Sequence, residues 1–337
     1  MGTNLPAKKY KIGERTERYL QYTLSHTPAN GGYTDSHFID LAAGLSSVNK
    51  RFYRQGLYYY IKSISVVETT GEAKVQFGTA PDVWHVPQAW RLGKRLWDKM
   101  NDEASQGIPG GARKIAGAYH DFKIYLNENH RGDADNAVPS NGPESMDGNP
   151  DHDPDEWIYS KINSLFPANN DTPNDEDRDT FDLMLLGSSH TAGGGGADEI
   201  AAVSLCKSYL MSKTLKGARQ EPHHVDGSED DALLRIFDTT TNLADTLEDL
   251  YDDNDVAPYD ADATYSDTIM RAQCSVGPTS NKSAMMPGFC VPFGLLEVLT
   301  TGNIVGESGN DNSDNNITVL IELAPGPYHG VYAERVE

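Results

Sequence analysis

The densest run of potential ligands is Asp147-Gly-Asn-Pro-Asp-His-Asp-Pro-Asp-Glu156. Calcium takes roughly six to eight oxygen ligands, and closely spaced carboxylates supply them. Asp151, Asp153 and Asp155 alternate within the run and are the candidate Ca2+ ligands, with His152 among them. The order is not that of an EF-hand, because Gly148 and the two prolines fall at the wrong positions. The competing reading is a solvated acidic loop, and it applies more strongly to Asp252-Asp-Asn-Asp255 and Asn310-Asp-Asn-Ser-Asp-Asn-Asn316. His223, His224 and Asp226 have no third His or Cys at helical or hairpin spacing, so they read as surface residues. Ser188-Ser-His190 stands before Gly193–Gly196. A nucleophile elbow needs Gly-x-Ser-x-Gly, and a phosphate loop needs Lys-Ser/Thr after its glycines; neither is present, so a flexible linker is expected. Cys206, Cys274 and Cys290 have no Cys-x-x-Cys spacing and lie in apolar stretches, which predicts small buried hydrophobes and neither zinc nor disulfides.

The cations form a second group. Lys50, Arg51 and Arg54 interleave with Phe52 and Tyr53, a pattern that can grip phosphate and stack a base. A helix end packed on a sheet, with its Arg heads snorkelling to solvent, would give the same pattern. Lys8, Lys9, Lys11, Arg15 and Arg18 make a basic N-terminal stretch, diluted by Glu14 and Glu17. Arg91, Lys94, Arg95 and Lys99 fall along one helical segment, where a solvated polar side accounts for them. Over the whole chain the charge is divided: residues 1–126 carry a net +6 and residues 127–337 a net −28. Such polarity predicts one face toward something anionic and another toward solvent or cations.

These groups must be positioned by elements that read mostly as strands. Leu20–Ser25, Leu57–Glu68, Ala73–Gly78, Phe122–Leu126, Phe181–Leu186, Tyr265–Val276, Phe289–Leu299 and Ile317–Leu323 have alternating or β-branched and aromatic content. Leu57–Glu68 and Ala73–Gly78 flank Gly71 and predict a hairpin. In the former, Tyr60, Lys62 and Ile64 are expected to face oppositely to Ile61, Ser63 and Ser65. Phe38–Leu45 predicts a short helix. Pro87–Met100 predicts a longer one, with Trp90, Trp97, Met100, Leu92 and Leu96 near one face. Ile200–Leu215 fits strands or a helix, Asn242–Tyr251 a helix, and Tyr328–Val336 a terminal extended piece. Residues 127–179 and 226–262 are rich in Gly, Pro, Asn and Asp and read as acidic insertions, with Trp157–Phe166 as an ordered island. About ten strands that do not alternate with helices disfavour a doubly wound parallel sheet and favour a mainly β, antiparallel sandwich with long loop insertions and a few short helices.

At 337 residues the chain can bury a large core, and 17 Tyr, 9 Phe and 4 Trp argue against full disorder. No apolar stretch approaches the roughly 20 residues that cross a bilayer, so no transmembrane segment is expected, and the first residues lack the apolar core of a secretion signal. The layout resembles that of jelly-roll capsid proteins of small icosahedral, single-stranded DNA viruses. The resemblance is carried by the basic, Tyr-containing Ala7-Lys-Lys-Tyr-Lys-Ile-Gly-Glu-Arg-Thr-Glu-Arg18, by Asn49-Lys-Arg-Phe-Tyr-Arg-Gln-Gly56 before a strand, and by the apolar strand ending near Pro325-Gly-Pro-Tyr-His-Gly-Val-Tyr332. It implies one jelly-roll domain over residues 19–337 behind a basic arm, residues 1–18. It also implies a structural, non-enzymatic coat protein of a virion that self-assembles into a shell. The resemblance and the charge split together put genomic nucleic acid on Lys8, Lys9, Lys11, Arg15, Arg18, Lys50, Arg51 and Arg54. The rival expectations are a calcium- or carbohydrate-binding β-sandwich module and a glycoside hydrolase using paired carboxylates.

Overall fold

The computed structural model describes residues 16–26, 34–68, 72–106, 119–132, 136–141, 157–163, 180–187, 191–192, 200–213, 267–277, 281–303 and 315–336. The first strand, β1 (Tyr19–His26), places Leu20, Tyr22 and Leu24 inward by the two-residue period of extended chain. β2 (Thr34–Asp40) runs directly into α1 (Leu41–Asn49), so the helix expected over Phe38–Leu45 begins three residues later. Asp40 makes that boundary. Its extended backbone ends the strand, and its Oδ1 accepts from the Ala42 and Ala43 N–H groups as an N-cap. β3 (Leu57–Val67) and β4 (Glu72–Thr79) follow.

The predicted β3–β4 hairpin does not form. β3 pairs with β13 (Asn315–Leu323) and β10 (Ser283–Pro287), whereas β4 pairs with β12 (Leu295–Asn303) and β9 (Ile269–Val276). The two runs lie in different sheets, each meeting partners 190 or more positions away. The sheet orders are β1-β13-β3-β10 and β2-β12-β4-β9, and every pairing within them is antiparallel. Inward residues of both sheets make one core, with Ile317, Val319, Ile321 and Leu323 of β13 meeting Val75 and Phe77 of β4 and Val298 of β12.

β3 also departs from the predicted alternation. Leu57, Tyr59 and Ile61 face inward, then Ile64 and Val66, so the phase slips across Lys62 and Ser63. The register against β13 shifts at the same place, the mark of a β-bulge. There Gly288 donates its N–H to the Lys62 carbonyl, and a Cβ on Gly288 would lie 1.9 Å from the Ile61 oxygen. Only glycine allows this approach. The first half of β3 is covered by β11 (Cys290–Val291) and β16 (Ala333–Arg335), and β14 (Pro325–Gly326) and β15 (Gly330–Val331) form a small turn of ladder before the latter.

Between β4 and β9 the chain builds a second layer. It comprises α2 (His85–Gln106), α3 (Glu128–Gly132), β5 (Lys161–Asn163), β6 (Thr180–Met184), β7 (Thr191–Ala192), β8 (Ile200–Ser204) and α4 (Leu205–Lys213). Its sheet has the order β5-β6-β8-β7, with β6 parallel to β8. Val86, Ala89, Trp90 and Trp97 of α2 pack with Phe122, Ile124, Leu183, Leu185 and Leu205, and this cluster also takes in Phe38 of β2 and Leu295 of β12. Leu92 and Leu96 do not join them; at 45% and 49% exposure they face away. At about 100° per residue they lie roughly a quarter to a third of a turn from the buried stripe.

Phe122, Ile124 and Leu126 are all buried, as their alternation requires, yet the segment is not a ladder strand. Its backbone is satisfied otherwise. Gln55 Oε1 accepts from the Ile124 N–H and Gln55 Nε2 donates to the Ile124 carbonyl, while Tyr125 exchanges bonds with Leu183 and Leu185. Of the cysteines Cys206 alone is buried; Cys274 and Cys290 are half-buried, because they sit on edge-proximal positions, and all three are free. Among the described residues no helix is long and apolar enough to cross a membrane.

Candidate functional site

The C-terminal end of α1 sets the geometry. Lys50 takes the left-handed conformation (φ 51°) and its N–H closes on the Ser46 carbonyl. Ser46 Oγ donates back to the Ala42 carbonyl and accepts from the Tyr53 N–H. This turn buries Tyr53 in the core shared by the two antiparallel sheets and carries Lys50, Arg51 and Phe52 outward to one side of the helix.

On that side lies a cavity of about 380 Å³. One wall is the small-residue face of α1: Ala43, Gly44, Ser46 and Ser47. Gly44 lets the helix sit directly on β1, since a Cβ there would lie 2.3 Å from the Tyr22 hydroxyl. The opposite wall is the strap Asn136–Pro139. It bridges Phe38 and Tyr22 through isolated β contacts, and its Ala137 and Ser140 N–H groups donate to the Phe38 and Gln21 carbonyls. The strap thereby covers the open edges of both sheets at β1 and β2.

Tyr119, Lys123 and Trp157 complete the lining. Tyr119 is 71% exposed and Lys123 only 8%, so the cavity runs from an open rim to a partly buried ammonium. Lys123 Nζ lies 4.3 Å from the centroid of the Trp157 ring and 5.7 Å from that of Phe52. Phe52 packs at 5.9 Å on Tyr119 and 6.0 Å on Trp157, so one cation and three rings form a single cluster. Burial lowers the Lys123 pKa, opposed by the charges of Asp40 and Asp121, yet no carboxylate among the described residues is within ion-pairing distance of it.

Two buried polar groups hold this lining in place. Asp40 Oδ2 accepts from Trp157 Nε1 (2.8 Å) and Gln55 Nε2 (2.9 Å), while Oδ1 caps α1. Burial raises its pKa and the four donors oppose that rise; all four being donors, the carboxylate is the form that fits. His130 stacks on Phe38 at 4.6 Å. Its Nδ1 accepts from the Leu126 N–H, which assigns the proton to Nε2, and Nε2 donates to Asn136 Oδ1 at 2.8 Å. Asn136 in turn donates to the Tyr159 hydroxyl. Burial pushes the His130 pKa down to about 4, so the ring is a neutral anchor for the strap.

Of the expected nucleic-acid residues, the structure brings Lys50 and Arg51 to this cavity. Arg54 is not among the residues that line it; its backbone is held elsewhere, its N–H donating to the Tyr328 hydroxyl and its carbonyl accepting from the Tyr59 hydroxyl. Arg18 belongs to the folded body and not to a free arm: its carbonyl accepts from the Leu323 N–H, Glu17 is held by Asn49, and Thr16 donates to the His329 carbonyl. Lys8, Lys9, Lys11 and Arg15 lie outside the described residues, as do Asp151, Asp153 and Asp155, Ser188–His190, Gly193–Gly196, His223, His224, Asp226, Asn242–Tyr251 and Asp252–Asp255. Among the described residues no three His, Cys, Asp or Glu side chains are grouped to hold a metal. On α2, Lys94 pairs with Asp98.

Sequence reasoning missed Lys123, Trp157 and Tyr119. Lys123 occupies the polar phase of Phe-Lys-Ile-Tyr-Leu, where alternation predicts solvent; the Trp157 and Phe52 rings cover it instead. Comparison of the chain with protein-family models, with curated proteins and with solved structures finds no match.

Proposed function

We propose that this chain is a structural coat subunit, a jelly-roll sandwich that self-assembles into a closed icosahedral shell and works by assembly, without catalysis. The observation that carries the reading is the strand order. Taking the eight long sandwich strands in sequence as first to eighth, the first pairs with the eighth, the second with the seventh, the third with the sixth and the fourth with the fifth. That order supports the reading, because winding one antiparallel ribbon into two facing sheets, as in the jelly rolls of capsid and lectin domains, would give the same pairing.

A fold does not by itself set a function. The shell reading draws further support from the charge split and from apolar side chains left on the surface of α2. Leu92 and Leu96 lie one turn apart on its outer side, as a subunit contact requires. In such a shell the genome would meet the basic N-terminal part and the particle would be the virion. Negative-stain microscopy and sedimentation of the purified full chain test the reading. Uniform closed shells are expected; monodisperse monomers across concentration and salt would overturn it and leave the calcium- or carbohydrate-binding module.

A further inference from the structure

The cavity beside α1 combines features that a structural void does not need. A partly buried ammonium has two ring faces beneath it and no ion-pairing carboxylate among the described residues. Two further cations, Lys50 and Arg51, stand at the same cavity, and the wall facing them is kept low by Ala43, Gly44 and Ser47. Rings offer stacking faces to any planar ligand, and cations close to them offer phosphate neutralisation. The volume, about 380 Å³, lies at the small end of the range for ligand sites, which suits one unit of a strand and excludes a duplex. The 6.0 Å separation of Phe52 and Trp157 leaves no slot between them, so a guest ring must lie against their outer faces.

We propose that this cavity binds one nucleotide of a single-stranded nucleic acid, its base against Phe52 and Trp157 and its phosphate on Lys50 and Arg51, with Lys123 as the cation at the buried end. An acidic peptide would satisfy the cations and leave three rings unused, so the aromatic content favours the nucleotide. Among the described lining residues the neutral side-chain polar groups belong to Ser46, Ser47, Tyr119, Asn136 and Trp157, and those of Ser46, Asn136 and Trp157 already bond within the fold, so the site reads stacking and charge and discriminates weakly among bases. The assignment rests on the shell reading only for the source of the strand, the enclosed genome; the binding itself needs no assembly.

The test is a titration of the full-length chain, at fixed ionic strength, with fluorescently labelled short oligothymidylate, an abasic deoxyribose-phosphate oligomer of equal length, thymidine monophosphate and an oligoglutamate. Oligothymidylate is expected to bind about tenfold or more tightly than the abasic strand, with quenching of tryptophan emission. Thymidine monophosphate, bringing the same ring and phosphate, is expected to compete for the site, more weakly than the strand. Arg51→Ala should weaken binding and flatten its salt dependence. Phe52→Leu should remove the preference for bases while keeping the salt dependence. Should Phe52→Leu fail to fold, Trp157→Phe, measured by anisotropy, takes its place and should reduce the preference. Equal binding of abasic and base-bearing strands, preference for oligoglutamate, or indifference to Arg51→Ala would each overturn the proposal. Microscopy of the same samples separates the two readings: base-dependent binding without shells overturns assembly alone, and shells without base-dependent binding overturn the nucleotide site alone.

Discussion

Gln55 is wholly buried, and its amide replaces a strand neighbour for Ile124 while also donating to Asp40. Gln55→Leu keeps the volume, leaves the buried N–H and carbonyl of Ile124 without the partner Gln55 gave them, and removes one of the two donors to Asp40 Oδ2. The expected loss is about 3 kcal/mol or more in chemical denaturation; a loss under about 1 kcal/mol would mean that water enters and takes over those bonds. Tyr22 is the converse case. Its hydroxyl is buried against α1 with no hydrogen-bond partner among the described residues, and burial raises its pKa. Tyr22→Phe should therefore be neutral or stabilise the fold by up to about 1 kcal/mol, and a clear loss would reveal a buried water bound to the hydroxyl. His130 gives a pH dependence. Its pKa is about 4 folded against 6.5 unfolded, so between those values the unfolded chain binds more protons and stability falls as pH is lowered through the window. The full loss is on the order of 3 kcal/mol. Asp40 and Glu297, whose pKa values are raised by burial, act in the opposite sense, because the folded state holds their protons to higher pH. The difference in stability between the wild type and His130→Gln, followed from pH 7 to pH 4, isolates the histidine; a flat difference would show that the ring titrates in the fold as it does in the unfolded chain.

At the scale of elements, α2 does two things with two faces. Its buried stripe, Val86, Ala89, Trp90 and Trp97, fastens the second layer to the sandwich through Phe122 and Phe293. Its outer side presents Leu92 and Leu96 to solvent. Exposed positions of this kind tolerate substitution within about 0.5 kcal/mol, so the paired change Leu92→Lys and Leu96→Lys should leave the denaturation midpoint nearly unchanged. If the helix forms a subunit contact, the same variant should fail to sediment as large assemblies. Assembly as efficient as that of the wild type would remove α2 from the interface.

At the scale of the whole molecule, the boundary between arm and body matters most. Thr16, Glu17 and Arg18 are bonded to His329, Asn49 and Leu323, so residues 16–18 close the sandwich edge. Deleting residues 1–15 removes Lys8, Lys9, Lys11 and Arg15 and keeps those bonds. Intact shells depleted of nucleic acid are expected. Full shells would show that the folded basic surface, including the cavity, suffices for the genome, and loss of all shells would give the arm a role in tying subunits together.

The sequence by itself determined most strands and their inward faces. β1 alternates over Leu20–Ser25, which has one way to bury Leu20, Tyr22 and Leu24; β13 reads as an apolar strand, and although Leu320 interrupts its alternation, Ile317, Val319 and Ile321 face inward. It also marked Lys50, Arg51 and Phe52, because cations beside aromatics stand out in any conformation. It could not pair the strands. β3 and β4 are adjacent in the chain but belong to different sheets, and their partners lie 190 or more residues away, a choice made by core packing and not by local propensity. The bulge in β3 is equally invisible, since it needs Gly288 to approach from a distant segment. The cavity is the extreme case. Lys123 and Trp157 are separated by 34 positions and carry no common pattern. They meet over Phe52 because Asp40, at the end of β2, holds the Trp157 indole and Gln55 together, and Gln55 holds the backbone beside Lys123. A site assembled through one buried carboxylate exists only in the folded chain, where low dielectric makes those hydrogen bonds strong enough to fix its geometry.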